Sequence, residues 1–129
     1  MERNELTHAV IGAAIEVHRV FGPGLLEEAY EEALCVELSM RDIPFERQVR
    51  VPLRYKGRQL KKDYVLDLFV DRRSVVECKA TLEDHPVYRS QCLTQLKITD
   101  LRLGLVINFG QRTLKSGIHR VANDVRSTE

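Results

Sequence analysis

A predicted hairpin over residues 67–79 is the feature that most constrains the fold of this chain. Its sequence, DLFVDRRSVVECK, is typical of two β-strands joined by a tight polar turn. Because side chains alternate between the two faces of a strand, Glu77 and Lys79 are expected on one face, and Asp67 on the face of Phe69. Antiparallel pairing then brings Asp67 beside Glu77. The hairpin therefore predicts two carboxylates and one ammonium group on a single face of a sheet.

This group of Asp67, Glu77 and Lys79 suits metal-assisted hydrolysis of a phosphodiester. Two adjacent carboxylates repel each other unless a cation lies between them or one takes a proton. Mg2+ prefers oxygen ligands and usually takes only one or two protein carboxylates. A neighbouring lysine can orient or deprotonate a water molecule, or offset charge in the transition state. The alternative is an edge strand with ordinary surface charges, since an acidic-x-Lys triplet arises by chance about once in 130 residues.

Length and composition indicate one globular domain. The chain has 129 residues, of which 43% are hydrophobic and 30% charged, so we expect a single domain over residues 1–129. No apolar run approaches the ~20 residues that span a membrane, and the charged N-terminus lacks the apolar core of a signal peptide. The three cysteines are widely spaced, which disfavours a disulfide framework or a zinc knuckle. A cytoplasmic location and no membrane partner are expected.

Positive charge is concentrated in one segment, although the net charge of the chain is only +1. Residues 47–62 contain seven arginines and lysines and no acidic residue. Surfaces that bind phosphate are built in this way. Solvated strand faces and protected sheet edges are built in the same way, so both interpretations stay open for this segment.

Two amphipathic helices are predicted at the start of the chain. The first covers residues 5–20, with Asn4 as its N-cap, and the second covers residues 25–40. Glu27 lies within the apolar arc of the second helix, whereas Glu31 lies outside it, as a solvated charge should. An unpaired carboxylate on a buried face is costly unless a metal, a metal-bound water or a backbone amide satisfies it. A helix-dipole interaction in the first turn is the alternative for Glu27.

The rest of the chain is predicted to form a sheet and one more helix. Strands are expected at residues 45–55 and 60–70, and Pro52 places the first at a sheet edge. After the strand that ends at Lys79, a helix is expected over residues 87–100. The segment 101–108 is nearly all apolar in its second half and predicts a central strand, which a crossover connection could join to the sheet. A last short strand is expected over residues 114–121.

This order of elements, α-α-β-β-β-α-β-(β), resembles the restriction-endonuclease-like core of the PD-(D/E)xK nuclease superfamily. That core is an α/β (α+β-like) fold with a mixed sheet flanked by helices. The segment GLLEEAY, from Gly24 to Tyr30, matches the Gly-x-x-Glu-x-x-Tyr pattern of the GxxExxY family, and the triplet from Glu77 to Lys79 matches Glu-x-Lys. The segment LRLGLVINF at residues 101–109 is similar to that family's late strand. The resemblance covers about residues 6–121.

The resemblance implies a set of site residues and a cofactor. Glu27, Asp67 and Glu77 would form the acidic cluster, and the backbone carbonyl of Cys78 would add a metal ligand. Lys79 would be the catalytic lysine. The implied metal is Mg2+, for which Mn2+ can substitute.

The helix after the lysine strand carries one match and one departure. Gln91 matches the glutamine of a Gln-x-x-x-Tyr element in related nucleases, but Gln95 occupies the position of its tyrosine. The expected function is a Mg2+-dependent nuclease that acts on DNA or RNA. Monomer and homodimer both stay open from the sequence. The alternative is a catalytically silent module on the same fold that binds nucleic acid or a protein partner.

Overall fold

The computed structural model describes residues 1–124. Within these residues, three α-helices and five β-strands follow each other in the predicted order, with one short 3-10 helix before the last strand. They are α1 (Arg3–Phe21), α2 (Glu27–Met40), β1 (Phe45–Tyr55), β2 (Arg58–Val70), β3 (Ser74–Lys79), α3 (Pro86–Thr99), β4 (Leu103–Asn108), the 3-10 helix (Leu114–Gly117) and β5 (Ile118–Ala122). The predicted fold class, a mixed sheet flanked by helices, is confirmed.

The five strands form one sheet in the order β1-β2-β3-β4-β5. Among the described strands, β3 and β4 run parallel, with α3 as the crossover between them, and the other neighbours are antiparallel. The edge position predicted for β1 from Pro52 and the buried position predicted for β4 are both confirmed. In the parallel pair, Lys79 lies opposite Asn108, so the ends of the two central strands meet.

The sheet separates two apolar clusters. One lies between the sheet and the first two helices, and its members include Val10, Leu34 and Leu105. The other lies beneath α3 and includes Leu96 and Val106. Both faces of the central strands are therefore covered, which accounts for their nearly continuous apolar sequence.

The start of each N-terminal helix differs from the prediction. The first helix begins at Arg3, with Glu2 in the N-cap position and no side-chain cap bond. The predicted cap at Asn4 is therefore wrong, because this residue lies in the first turn. The second helix begins at Glu27, and Leu26 before it is 81% exposed. Apolar periodicity alone thus extended α2 two residues too far.

The buried face of α2 also differs from the prediction. Glu31 is only 4% exposed, whereas Val36 and Met40 are 54% and 74% exposed. The prediction of a solvated Glu31 is therefore wrong, and the apolar side chains of Val36 and Met40 face solvent instead. The reason is a partner on the neighbouring strand, since Arg47 Nε donates to Glu31 Oε2 at 2.6 Å. A buried carboxylate that has such a partner can take a core position.

Tyr30 connects the turn between the first two helices to the sheet. Its hydroxyl donates to the Gly22 carbonyl and accepts the Leu25 backbone N–H at 3.1 Å. Its ring stacks on Phe109, just after β4, with centroids 4.7 Å apart and planes 6° from parallel. The turn that leads into Glu27 is thereby fixed against the end of the central strands.

Replacing Tyr30 by Phe should destabilise the protein without altering its core. The variant keeps the stacked ring but leaves the Gly22 carbonyl and the Leu25 N–H without their partner, a loss of about 1–3 kcal/mol. Chemical denaturation measures this loss. Tyr55→Phe is the matched control, because Tyr55 is 61% exposed. Equal stability of the two variants would contradict the role given to the Tyr30 hydroxyl.

Candidate active site

The two strands that carry the predicted acidic pair separate at Asp67. Their regular pairing ends at Leu68 and Val76. At the neighbouring residue of β2, Asp67, the side-chain oxygen Oδ2 accepts a hydrogen bond from the backbone N–H of Cys78 at 3.0 Å. A side chain there replaces the backbone acceptor of a regular ladder, so β2 is free to diverge from β3. We call this place the strand fork.

The strand fork interrupts the side-chain alternation of β2. Leu66 and Phe69 both pack in the cluster beneath α3, whereas Leu68 packs on the opposite face. Strict alternation would put Leu66 with Leu68, so the regularity from which the face of Asp67 was predicted fails at this residue. Across the ladder on β1, Gln48 has a φ of 54°, a left-handed conformation that is uncommon outside glycine. Both strands are thus irregular at the level of Asp67.

Glu77 and Lys79 form a partly buried ion pair next to the fork. Glu77 Oε2 lies 3.8 Å from Lys79 Nζ, and Glu77 is only 6% exposed. On its other side, Lys79 Nζ lies 4.9 Å from the centre of the Tyr88 ring, a favourable cation–π distance. The Tyr88 hydroxyl donates to Thr81 Oγ1 at 3.1 Å. A carboxylate and an aromatic face therefore hold the ammonium group in place.

The pKa values of both carboxyls are raised. Burial is the largest cause of the rise in the pKa of Glu77 to about 7, and the charge of Asp67 is the next. Burial also raises the pKa of Asp67, against the hydrogen bond from Cys78, and the charge of Glu31 adds to the rise. Two acidic groups are thus held close together where each is costly to ionise.

Glu27 lies beside this pair, although not on the buried face where it was predicted. It is the first residue of α2 and is exposed, so the predicted burial is wrong. Partial burial of its carboxylate, followed by the charge of Asp67, still raises its pKa, while Lys79 lowers it. The structure therefore brings Glu27 within electrostatic reach of both Asp67 and Lys79.

Glu31 and Gln48 are two site residues that the sequence did not indicate. Gln48 Nε2 donates to both oxygens of Glu31 at 3.1 Å, which adds to the ion pair of Glu31 with Arg47. Gln48 also lowers the pKa of Asp67 through a side-chain hydrogen bond. Helical periodicity could not reveal this network, because Arg47 and Gln48 lie 16 and 17 residues from Glu31.

The two glutamines of α3 have different environments. Gln95 is 2% exposed, lies close enough to Glu77 to lower the pKa of that carboxyl, and donates to the Tyr64 hydroxyl at 3.4 Å. Gln91 is exposed, and within residues 1–124 no hydrogen bond joins it to the acidic residues. The residue that departs from the tyrosine pattern is therefore the one that reaches Glu77, while a role for Gln91 stays a prediction.

The loop after Lys79 is fixed by the end of β4. Asn108 is fully buried, and its Oδ1 accepts the backbone N–H groups of Thr81 and Gly110 at 3.0 Å. A Cβ at Gly110 would lie 2.5 Å from the Thr81 backbone, so only glycine fits there. Gln111 Nε2 donates to the Thr81 carbonyl at 3.1 Å. The segment Asn108–Gly110 therefore fixes the backbone of the loop that directly follows Lys79.

The far end of the same loop is held by a network that the sequence did not indicate. Asp84 Oδ2 is bonded to His119 Nε2 on β5, and Arg89 of α3 donates to His119 Nδ1 at 3.1 Å. Asp84 and His119 are 35 residues apart, so no local motif shows the contact. The network ties the loop to β5 and to α3.

The residues at the fork fit a hard divalent cation in their chemistry. The carboxylates of Asp67, Glu77 and Glu27 and the Cys78 carbonyl are the oxygen donors that Mg2+ prefers. Within residues 1–124, no three Asp, Glu, His or Cys side chains already converge as a metal-binding group. The fit depends instead on the raised pKa values of Asp67 and Glu77, together with the buried Oε1 of Gln95, which has no partner among the described residues.

A mixed five-stranded sheet flanked by helices, with an acidic pair and a lysine where two strands diverge, defines a restriction-endonuclease-like fold. The sequence model of one protein family, the PD-(D/E)XK nuclease superfamily, matches residues 4–121. Because this match covers most of the chain, the protein belongs to that superfamily. No curated protein and no solved structure matched the chain. Within residues 1–124, no helix has the length and apolar character to cross a membrane.

The raised pKa of Glu77 predicts how stability depends on pH without divalent metal. Between the ordinary value of 4.5 and about 7, the folded state holds a proton that the unfolded state has lost. Stability from this group is present below pH 4.5 and is lost as the pH rises through 7. Glu77→Gln removes the effect, so its stability relative to wild type should increase by roughly 2 kcal/mol from pH 5 to pH 8.

Urea denaturation in EDTA at the two pH values measures this difference. Glu83→Gln is the control, because the Glu83 side chain is 83% exposed. If wild type and Glu77→Gln lost or gained stability in parallel between the two pH values, the raised pKa of Glu77 would be refuted.

Proposed function

We propose that the protein is a divalent-metal-dependent nuclease that hydrolyses phosphodiester bonds in DNA or RNA. The observation that carries the proposal is the strand fork. Asp67 is held there by the Cys78 N–H at 3.0 Å, next to a buried Glu77 that lies 3.8 Å from Lys79. Such a group of charges is costly for folding, since it buries acidic residues at raised pKa values. A cation with a phosphate substrate would offset that cost.

Mg2+, or Mn2+ in its place, would be held by Asp67, Glu77 and the Cys78 carbonyl, with Glu27 at the open side. When bound, the metal supplies a Lewis acid that lowers the pKa of a water molecule and stabilises charge on the phosphate. Asp67 and Glu77 supply the negative charge that selects a cation. The Cys78 contribution comes from its backbone, because its side chain is fully buried and the pKa of its thiol is raised.

Lys79 is the proposed catalytic lysine. Glu77 and the Tyr88 ring keep its ammonium group at a fixed position on the strand. From there it orients an attacking water molecule or offsets the negative charge that develops on the phosphate. Gln91, exposed on α3, is the proposed contact for the nucleic acid itself.

Within the superfamily we place the chain in the GxxExxY family. The support is structural as well as sequential. Gly24 has a φ of 139°, a conformation that strongly favours glycine. Glu27 follows at the first position of α2, beside Asp67, and Tyr30 fixes the turn through Gly22 and Leu25. Each of the three defining residues therefore has a physical reason for its position.

A catalytically silent module that binds nucleic acid or protein is the second candidate. It is favoured by the absence, within residues 1–124, of three converging acidic side chains and by Gln95 in the tyrosine position. Such a module would bind its partner without divalent metal and would release no product.

The location and the oligomeric state are proposals of the same kind. All three cysteines are free and buried, which supports the reducing cytoplasm. An apolar groove of about 300 Å³ lies between the first two helices and is lined by Val20, Phe21 and Val36. This groove is the observation in favour of a homodimer.

Substitutions at the fork should abolish cleavage without unfolding the protein. Asp67→Asn, Glu77→Gln and Lys79→Met keep the size of each side chain and remove its charge. Each should lower the rate of cleavage of labelled DNA or RNA with Mg2+ or Mn2+ by at least about 100-fold, because each removes electrostatic stabilisation of the transition state.

Glu5→Gln and Lys97→Met are the controls, since both residues are exposed and each substitution removes the same charge away from the fork. The controls should cleave as wild type does. If the fork variants retained cleavage, the activity would come from a contaminant. If wild type cleaved no substrate but bound nucleic acid in EDTA, the binding module would replace the nuclease.

A further inference from the structure

The hairpin of β1 and β2 extends past the strand fork. It stays paired up to its turn, where Tyr55 lies opposite Arg58, whereas the regular pairing of β3 with β2 ends at Leu68. At about 3.3 Å per residue, the strand from Asp67 to Arg58 reaches about 30 Å beyond the site. Residues 54–62 are all exposed. We call residues 50–63 the basic arm.

Positive charge in this protein is concentrated on the basic arm. The arm contains six cationic side chains and one acidic one, a net charge of +5, whereas the whole chain carries +1. The remaining residues therefore carry −4. Arg50 lies 3.9 Å from Asp63, and within residues 1–124 no acidic partner pairs with the other five cations, which are Arg54, Lys56, Arg58, Lys61 and Lys62.

Protection of a sheet edge does not fully explain why the positive charge is concentrated on the arm. A few charged side chains, especially lysines, are enough to prevent edge-to-edge pairing, so that role does not explain six cationic side chains over the whole arm. The fork beside it is acidic and repels phosphate. A cationic arm next to an acidic site attracts a polyanion that the site alone would repel.

We propose that the basic arm binds duplex DNA and holds it across the strand fork. This proposal rests on the nuclease function given above and adds the form of the substrate. The major groove of B-DNA is about 12 Å wide and admits a two-stranded β-ribbon, and the reach of the arm is close to one helical turn of about 34 Å. The major groove of duplex RNA is too narrow for side chains to enter.

The composition of the arm also separates duplex from single-stranded DNA. Proteins that bind single strands stack successive bases on aromatic side chains. Residues 54–62 hold one aromatic residue, Tyr55, and Lys56 Nζ lies 5.4 Å from its ring centre. Phosphate contacts from lysine and arginine are therefore the main interaction that the arm can offer.

The test compares two triple variants that remove the same charge. The arm triple is Arg54→Gln, Arg58→Gln and Lys61→Gln. The control triple is Arg3→Gln, Arg72→Gln and Arg102→Gln, whose positions lie together at the opposite end of the sheet, where β3 starts at Ser74 beside Leu103. All six side chains are exposed.

Fluorescence anisotropy in EDTA gives the affinity for a duplex of about 30 base pairs, roughly three helical turns, between about 50 and 200 mM salt. The arm triple should bind at least about tenfold more weakly than wild type at low salt. Its slope of log affinity against log salt should be shallower by about 2 to 3, since each lost phosphate contact removes ~0.9. The control triple should change affinity less than about threefold.

Equal weakening in both triples would overturn the arm, because net charge alone would then explain binding. Tighter binding of single-stranded DNA or duplex RNA of the same length would overturn the choice of duplex DNA.

Cleavage with Mg2+ distinguishes the failure of one proposal from the failure of the other. If wild type cleaves and the arm triple binds as the control does, the arm is refuted and the nuclease stands. If wild type does not cleave but the arm triple binds more weakly, the nuclease is refuted and the arm stands.

Discussion

The hydrogen bond from the Cys78 backbone N–H to Asp67 Oδ2 is the contact on which the proposed site depends. It ends the regular pairing of β2 with β3, and it holds Asp67 of β2 close to Glu77 of β3. Because the N–H keeps a partner, the strands can part without leaving a buried donor unsatisfied. The opening that results places Glu77 and Lys79 at its base, and it lets the paired β1 and β2 strands continue past the site as the basic arm.

The rest of the fold holds that opening in a fixed shape. On one side, Tyr30 stacks on Phe109 and so sets where Glu27 enters α2. Behind the lysine, Asn108 bonds the backbone of Thr81. Tyr30 belongs to the segment GLLEEAY, which precedes the acidic strands, and Asn108 and Phe109 belong to the segment LRLGLVINF, which follows them. These contacts indicate that the two segments build a rigid support, which is what an electrostatically preorganised site needs.

The sequence predicted the order of elements and the hairpin because both depend on local periodicity and turn residues. It predicted Glu77 and Lys79 together for the same reason, since alternation within one strand decides their placement. It failed at Glu31, whose burial depends on Arg47 in a different element. It also failed at the alternation of β2, because the break at Asp67 arises from a tertiary hydrogen bond. Gln95 shows a third case, in which a departure from a family pattern lies beside the acidic pair.

The central claim is that the strand fork is built to hold a divalent cation. Calorimetric titration of Mn2+ into wild type and into Glu77→Gln tests it most directly, since it needs no substrate and no turnover. The account predicts saturable binding to wild type and a loss of at least about tenfold in affinity for Glu77→Gln, because a charged oxygen ligand becomes neutral. Absence of saturable binding to wild type, or equal affinity in both proteins, would contradict it.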